Sequence, residues 1–482
     1  MSEKVDRRNY LKYVGAGVAG LAVGGALGYL TAPGKIEKVT ETITKTETTT
    51  AAAATVTQTV TETKTVVGPG ATITKTETVG KPPKEVPKEP LKIGVITILT
   101  GAGAMLFDPG LKALQMEVDK INAQGGILGR KIELVVRDSG GKADVSVDFF
   151  KRLVTEDKVE YIISGSTSAE AVALAPVAEE MKMLLIIEEG TATKLFEEVD
   201  TKPKYVFRVA NYDALDAICH ALSIHKTWPD AKKFAVIGAD YVWGHDEWDI
   251  LTTVLKKLIP DFEIVAEGWP PLFSTDFTPH ITKVMAAKPD VVELCLWGGD
   301  LVTCIKQGVG YGLFKQCKVS SVTGGEYVWG AGKDCPDGML NTTRYYFNYP
   351  PWNRWSINRE FNEEFHRRYP DVHGGYPGFN CNSAYIAIHA LKIAIEKAYS
   401  MTGGWPETEQ VISALENLMV PGPGGYRYFR KEDHQSLGYA VSGLTKQDPK
   451  LGYAVLDPKW VVAPEEAAPP PGMKWRDFVA SW

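Results

Sequence analysis

The sequence predicts a doubly wound α/β fold, and three observations predict it. Apolar runs of strand length recur along the chain, segments of crossover-helix length separate them, and small or hydroxyl-bearing residues follow several of the runs. Residues 91–137 carry the clearest unit. Ile93, Val95, Ile96 and Ile98 form a nearly continuous apolar run, which suits a strand covered on both faces of a parallel sheet. A helix follows, because Leu111, Leu114, Val118 and Ile121 recur at spacings of three and four, leaving Lys112, Glu117, Asp119 and Lys120 for solvent. Asn122, Gly125, Gly126 and Gly129 stop that helix, and Ile132, Leu134 and Val136 open the next strand. Further buried strands are expected at 159–163, 184–187, 234–238, 291–296 and 319–322. In such folds ligands bind beyond the C-terminal strand ends.

Ahead of this region lie two segments of different composition. Arg7 and Arg8 stand in RRNYLK, before an uncharged Gly/Ala-rich run over 13–33, the layout of a twin-arginine export signal. Residues 1–34 are therefore expected to direct export, and with no clean cleavage site or lipidation cysteine the segment could also stay as a membrane anchor. Residues 35–90 are dominated by Thr, Glu, Lys, Val and Ala and end in KPPKEVPKEP, with too few large apolar side chains to offset the entropy of ordering. They read as a disordered stalk, reaching roughly 40 Å as a flexible coil and holding a folded head away from a membrane.

The remaining residues, 91–482, suffice for two domains with cores of their own. A formal charge of −6 without a long basic run argues against nucleic acid as a partner. Eight histidines with no HExxH and no paired spacing give no metal site. The six cysteines could pair in an exported protein or remain buried thiols; Cys317 with Cys335 is the first pairing to test.

The strand ends supply the candidate chemistry. Thr100-Gly101-Ala102-Gly103-Ala104-Met105-Leu106 begins like a dinucleotide fingerprint but has leucine at the last glycine position, so no cofactor is expected. Ser164-Gly165-Ser166-Thr167-Ser168 precedes the helical run AEAVALAPVAEE and serves either as an anion site or as a plain helix cap. Glu188-Glu189-Gly190-Thr191 is a second small turn, and two such turns on adjacent strands could share one carboxylate. No GxSxG elbow supports a serine hydrolase.

Taken in order, LTG, INAQGGILGRKIELVVRD, DKVEYIISGSTS, APVAEE, VIGADYVWG, STDFTPHITKVMAAKPDVVEL and TGGE resemble the branched-chain amino-acid binding proteins of ABC importers, the type I periplasmic binding family. The resemblance runs from about residue 91 to beyond 439. It implies two doubly wound lobes joined by three crossings, with ligand trapped between them. Lobe 1 would comprise 91–210 and 347–430, and lobe 2 would comprise 211–346 and 431–482. The crossings would lie near 208–211, 344–347 and 430–437.

By the same resemblance, Ser168, Thr167 and Thr191, with the backbone of Glu189 and Gly190, fall where the family holds a ligand carboxylate. Glu326 falls where the amino-acid binders place the acid that meets the ammonium, and Trp243 where they place an aromatic ring. Tyr241, Trp297 and Asp300 stand at strand ends of lobe 2, as does Trp329. Phe107 departs from the glycine often found there and would reshape the lobe 1 side of the pocket. The expected function is an exported, monomeric binding protein that captures a branched-chain amino acid, amide or aromatic acid and delivers it to an ABC permease. A ligand sensor acting through a membrane partner is the first alternative. A cleft enzyme using Glu326 or His245 as a base is the second.

Overall fold

The computed structural model describes the backbone of residues 39–51 and 54–66, and residues 84–482 apart from 350–352 and the Glu326 side chain. The export signal expected at 1–34 lies outside the described residues. Within the segment expected as a stalk, β1 (Val39–Ala51) pairs antiparallel with β2 (Ala54–Val66). Alternating threonine and valine are the residues a pleated ribbon accepts most readily, and a two-stranded ribbon alone is marginal in water. The rest of the expected stalk, up to residue 83, lies outside the described residues. Among the described residues no helix is long and apolar enough to cross a membrane.

From Pro83 onward the chain forms a separate compact unit with two α/β lobes. Lobe 1 is built on five parallel strands in the order β4-β3-β5-β6-β7: β3 (Leu91–Thr97), β4 (Ile132–Asp138), β5 (Tyr161–Ser164), β6 (Leu185–Ile187) and β7 (Val206–Arg208). The pleat sends successive side chains to opposite faces. Ile93 and Val95 therefore join α1 (Ala104–Ala123) and the long helix α8 (Phe379–Thr402), while Ile96 and Ile162 join α2 (Ala143–Thr155) and α3 (Ser168–Met181). Gly126 turns the chain after α1 at φ +84°, where a Cβ would sit 1.9 Å from the Arg130 carbonyl oxygen, so glycine is required there.

Lobe 2 carries seven strands in the order β17-β16-β12-β11-β10-β8-β9. The parallel set comprises β8 (Lys233–Gly238), β9 (Glu263–Gly268), β10 (Val291–Cys295), β11 (Lys318–Ser321) and β12 (Leu340–Thr343). The long strands β16 (Ala440–Asp448) and β17 (Tyr453–Val462) add antiparallel to that edge. Helices α4 (Asp213–Thr227), α5 (Val242–Leu258), α6 (Thr278–Ala286) and α7 (Gly298–Tyr311) complete the layers. A small antiparallel sheet, β13 (Met419–Gly422), β14 (Gly425–Phe429) and β15 (Ser436–Leu437), leads the chain back to lobe 2.

One expectation is corrected. Glu117 is buried at 2 % exposure instead of facing water, because between α1 and α8 it pairs with Lys120 Nζ at 2.8 Å and hydrogen-bonds His389 Nε2 at 3.0 Å. Of the two states open to Cys317 and Cys335, the structure has buried thiols: no disulfide is present among the described residues, all six cysteines are buried, and burial pushes the Cys335 thiol up to about 12. A thiol reagent applied to the native protein should accordingly react slowly if at all. After denaturation without reductant it should count six free thiols, and a count of four would indicate a disulfide.

Candidate functional site

The strand ends of the two lobes face one another across a cleft. From lobe 1, the turn after β5 brings Ser166, Thr167 and Ser168, the turn after β6 brings Glu189, Gly190 and Thr191, and α1 brings Leu106 and Phe107. Phe379, at the first turn of α8, closes this side. From lobe 2, Tyr241 and Trp243 follow β8, Trp297 follows β10, Thr323 and Tyr327 follow β11, and Arg344 follows β12. Of these side chains, all but the half-buried Tyr241 are buried. The lobes are therefore closed on one another.

Each turn is set by local chemistry. Thr167 caps α3: its hydroxyl accepts from the Glu170 amide at 3.3 Å, and Glu170 Oε2 accepts from the Thr167 amide at 2.8 Å, a reciprocal capping box. The other oxygen of Glu170 accepts from Ser139 Oγ at 2.5 Å and Ser146 Oγ at 2.6 Å, so this buried carboxylate is fully engaged. The Thr167 hydroxyl also donates to Glu170 Oε2 at 2.8 Å, which leaves it no proton for a ligand. Ser168 differs. Its Oγ accepts from the Ala192 amide at 3.1 Å and keeps its proton to donate, while the buried Ser166 hydroxyl has no partner among the described residues. Gly190 sits at φ +80°, with a virtual Cβ only 2.5 Å from Ala171 Cβ, so glycine lets the second turn lie against the start of α3.

The opposite wall is aromatic. Trp297 Nε1 donates to Tyr241 Oη at 2.7 Å, Tyr241 and Trp243 lie 6.2 Å apart, and Phe107 meets Trp297 edge-on at 6.1 Å across the lobes. The bulky Phe107 thus forms part of the contact between lobes.

Beneath the cleft the crossings are bound together by buried charge. Arg344 donates from Nε to Asp216 Oδ2 at 2.5 Å and from Nη1 to Glu189, whose other oxygen accepts from Ser383 Oγ at 2.9 Å. Burial pushes the Glu189 carboxyl up and Arg344 pulls it back, and the two acids hold the Arg344 guanidinium above its usual range. Arg208 donates to Gln435 Oε1 at 2.6 Å and to the Gly190 and Ala192 carbonyls at 3.0 and 2.8 Å, tying the first crossing to the third and to the cleft turn. Arg427 reaches Asn211 and the Arg344 carbonyl. Nearby, burial raises Asp213 to about 8, with Asp246 adding to the shift and Thr191 and Arg208 opposing it.

Nine of the twelve residues singled out from sequence meet in this cleft: Phe107, Thr167, Ser168, Glu189, Gly190, Thr191, Tyr241, Trp243 and Trp297. Trp329 does not line it. Asp300 stands apart from the lining. Its Oδ2 accepts from the Phe273 amide at 2.8 Å and so holds the loop whose Phe273 packs on Trp297. The Glu326 side chain lies outside the described residues; its backbone belongs to the short 3₁₀ turn Gly324–Glu326 between Thr323 and Tyr327. Ser166 belongs to the turn that the sequence marked as an anion site or helix cap, whereas sequence reasoning missed Leu106, Thr323, Tyr327, Arg344 and Phe379 as lining residues. Thr323 stood at an expected strand end and could have been found, whereas Phe379 reaches the cleft only through the fold. Among the described residues no group of His, Cys, Asp and Glu could hold a metal ion.

The family model described as periplasmic binding protein matches residues 90–440. The chain belongs to this family. A relative named Leu/Ile/Val-binding protein homolog 4, from Brucella melitensis, is 25% identical over 357 residues, covering 72% of this chain and 82% of its own. A branched-chain amino acid ABC transporter structure from Rhodopseudomonas palustris CGA009 is 28% identical with a TM-score of 0.61, covering 79% of this chain and 99% of its own. An ABC transporter solute-binding protein from Rhodopseudomonas palustris BisB5, solved with 3,4-dihydroxybenzoic acid, has a TM-score of 0.68 at 23% identity, covering 80% of this chain and 99% of its own. The last shares the fold. In this periplasmic binding protein the cleft therefore lies where open α/β sheets place ligands, beyond the carboxyl ends of the strands.

Two outcomes test the charge network. Arg344→Met strands Glu189 and Asp216 in the interior and should cost about 3–5 kcal/mol in denaturant unfolding; a loss within about 0.5 kcal/mol would mean that the clamp contributes nothing. Asp213 has a folded-state value above its unfolded one, so its stabilising influence is intact below about 4 and is lost as pH rises towards about 8. Asp213→Asn should melt higher than the unaltered protein at pH 8 by a few °C, at about 2–4 °C per kcal/mol, with the gap shrinking by pH 5. A pH-independent gap would contradict the assignment.

Proposed function

We propose that this chain is the extracytoplasmic substrate-binding protein of an ABC importer. On this reading it captures a branched-chain amino acid or a related small amphipathic ligand, an amide or an aromatic acid, by hinge closure. The observation that carries the reading is the composition of the cleft: hydroxyls and backbone of lobe 1 face aromatic rings of lobe 2, with the crossings directly beneath. Lobe 1 is taken as 91–210 with 347–430, and lobe 2 as 211–346 with 431–482, in keeping with the strands of the two sheets.

A ligand carboxylate would be received by the Ser168, Ser166 and Thr191 hydroxyls and by the backbone at Glu189 and Gly190. The Glu189 side chain is already committed to Arg344 and Ser383. The ligand's apolar or planar part would lie against Trp243, Tyr241, Trp297 and Phe107. Glu326 would meet the ammonium of an amino acid. Six rings in the lining support a planar group of some size, and the solute-binding protein of the same fold solved with 3,4-dihydroxybenzoic acid agrees with that. No bond is made or broken: ligand binds one lobe, the second closes over it, and differential affinity for the closed form is what a permease would recognise. The family places the protein outside the cytoplasm, and the segment ahead of residue 90 would tether it to the membrane.

Native mass spectrometry of the purified protein, followed by thermal-shift screening of amino acids, amides and hydroxybenzoates, tests this directly. A true ligand should raise the melting temperature by several degrees, since a hundredfold excess over Kd adds about 2.7 kcal/mol. Trp243→Ala should weaken any such ligand. Glu326→Gln should weaken an amino acid by about 1.5–3 kcal/mol and leave an aromatic acid unaffected. Screening without a single stabilising compound, together with a ligand-free mass spectrum, would overturn the binding-protein reading.

A further inference from the structure

A second chamber lies beside the cleft, lined by both lobes. Tyr327 and Phe379 form the partition: the rings meet edge-on at 6.1 Å and both face the cleft, while their neighbours Val328 and Gly378 face the second chamber. One wall is the stacked pair Phe347 and Tyr376, with centroids 4.2 Å apart, and another is Tyr453, whose hydroxyl reaches across to the Gly374 carbonyl at 3.3 Å. None of the cleft residues argued above to receive a carboxylate lines it.

Two polar atoms in this aromatic setting lack partners among the described residues. His373 is 4 % exposed, and its Nε2 lies 2.9 Å from the Met105 carbonyl oxygen, so Nε2 must carry the proton and Nδ1 the lone pair. Burial lowers the His373 pKa to about 4, which keeps this tautomer neutral. Nδ1 is then a buried acceptor with nothing bound to it. Trp329 Nε1 is a buried donor with nothing bound to it, and the two rings lie 5.2 Å apart. His373 Nδ1 and Trp329 Nε1 thus stand unmatched on two rings that line the same chamber, and because a buried donor or acceptor is costly to leave unmade, the pair indicates an occupant. His373 is also held at φ +50°, a conformation that is uncommon outside glycine.

We propose that this chamber is a second binding site, for a planar aromatic molecule carrying a hydroxyl, a phenol. The phenol O–H would donate to His373 Nδ1 and its oxygen would accept from Trp329 Nε1–H, one oxygen satisfying both atoms, while the ring lies among Phe347, Tyr376 and Tyr453. Because Val328, Trp329 and Tyr453 come from lobe 2 and His373 to Gly378 from lobe 1, occupancy would favour closure and add to the grip on the cleft ligand. A single trapped water could make the same two hydrogen bonds, but it would gain nothing from the rings.

The test uses the full chain labelled with ¹⁵N, reading the tryptophan indole N–H resonances during a phenol titration; Trp329→Phe identifies the Trp329 peak by its loss. Phenol should shift that peak saturably. Anisole, which cannot donate to Nδ1, should bind at least about fivefold more weakly, and His373→Asn, which accepts a positive φ, should weaken phenol by a similar factor. Phenol is read at the Trp329 peak and cleft ligands at the Trp243 and Trp297 peaks, so failure of the chamber and failure of the cleft reading are told apart. Absence of any Trp329 shift up to the solubility limit would mean a buried water only and overturn the proposal. So would shifts confined to Trp243 and Trp297, equal binding of anisole, or indifference to His373→Asn.

Discussion

The clamp on Arg344 is the interaction on which the rest of the molecule depends. One guanidinium, 4 % exposed, joins Glu189 at the ligand-facing turn of lobe 1 to Asp216 at the start of lobe 2, from a position on the chain crossing between them. Taking three charges out of water is expensive, and the cost is recovered only where the geometry satisfies them. Ser383 and Asn211 do so here, one bonding Glu189 and the other Asp216 at 3.2 Å. A network of this kind is a poor source of net stability, but it fixes one arrangement of the crossings among many that apolar packing would tolerate.

That fixed floor sets what the cleft can do. Glu189 cannot serve a ligand with its side chain while it holds Arg344, so the lobe 1 side offers hydroxyls and backbone. Thr167 is likewise withdrawn by Glu170, which leaves Ser166, Ser168 and Thr191 as the groups suited to an anion. Lobe 2 answers with rings, and Asp300 contributes from outside by holding the loop that braces Trp297. What the lobe 1 side can offer thus follows from which polar groups the fold has already spent.

The same accounting applies beyond the cleft. Where buried polar atoms are matched, as in the Glu170 cage or the His220, Glu293 and Thr342 cluster within lobe 2, they serve the fold. Where they lack partners among the described residues and line an aromatic chamber, as His373 and Trp329 do, the fold alone does not account for them. Both chambers are lined by residues of both lobes.

Much of this was legible in the sequence. The continuous apolar runs around Ile93, Ile163, Ile186, Val236 and Val292 determined parallel strands, because only a sheet covered on both faces buries such runs. The small and hydroxyl-bearing turns after those strands marked most of the cleft. The edge strands Ala440–Asp448 and Tyr453–Val462 escaped because polar residues such as Ser442, Thr445, Lys446, Asp457 and Lys459 interrupt their apolar pattern, and the burial of Glu117 had no local signal because its partner His389 stands 272 residues away. Tertiary structure alone decided the pairing of Arg344 with Glu189 and Asp216, the approach of Phe379 to Tyr327, and the meeting of His373 with Trp329. Local periodicity reports which way a side chain faces within its own element, whereas the partner that satisfies a buried charge is chosen by how distant elements dock.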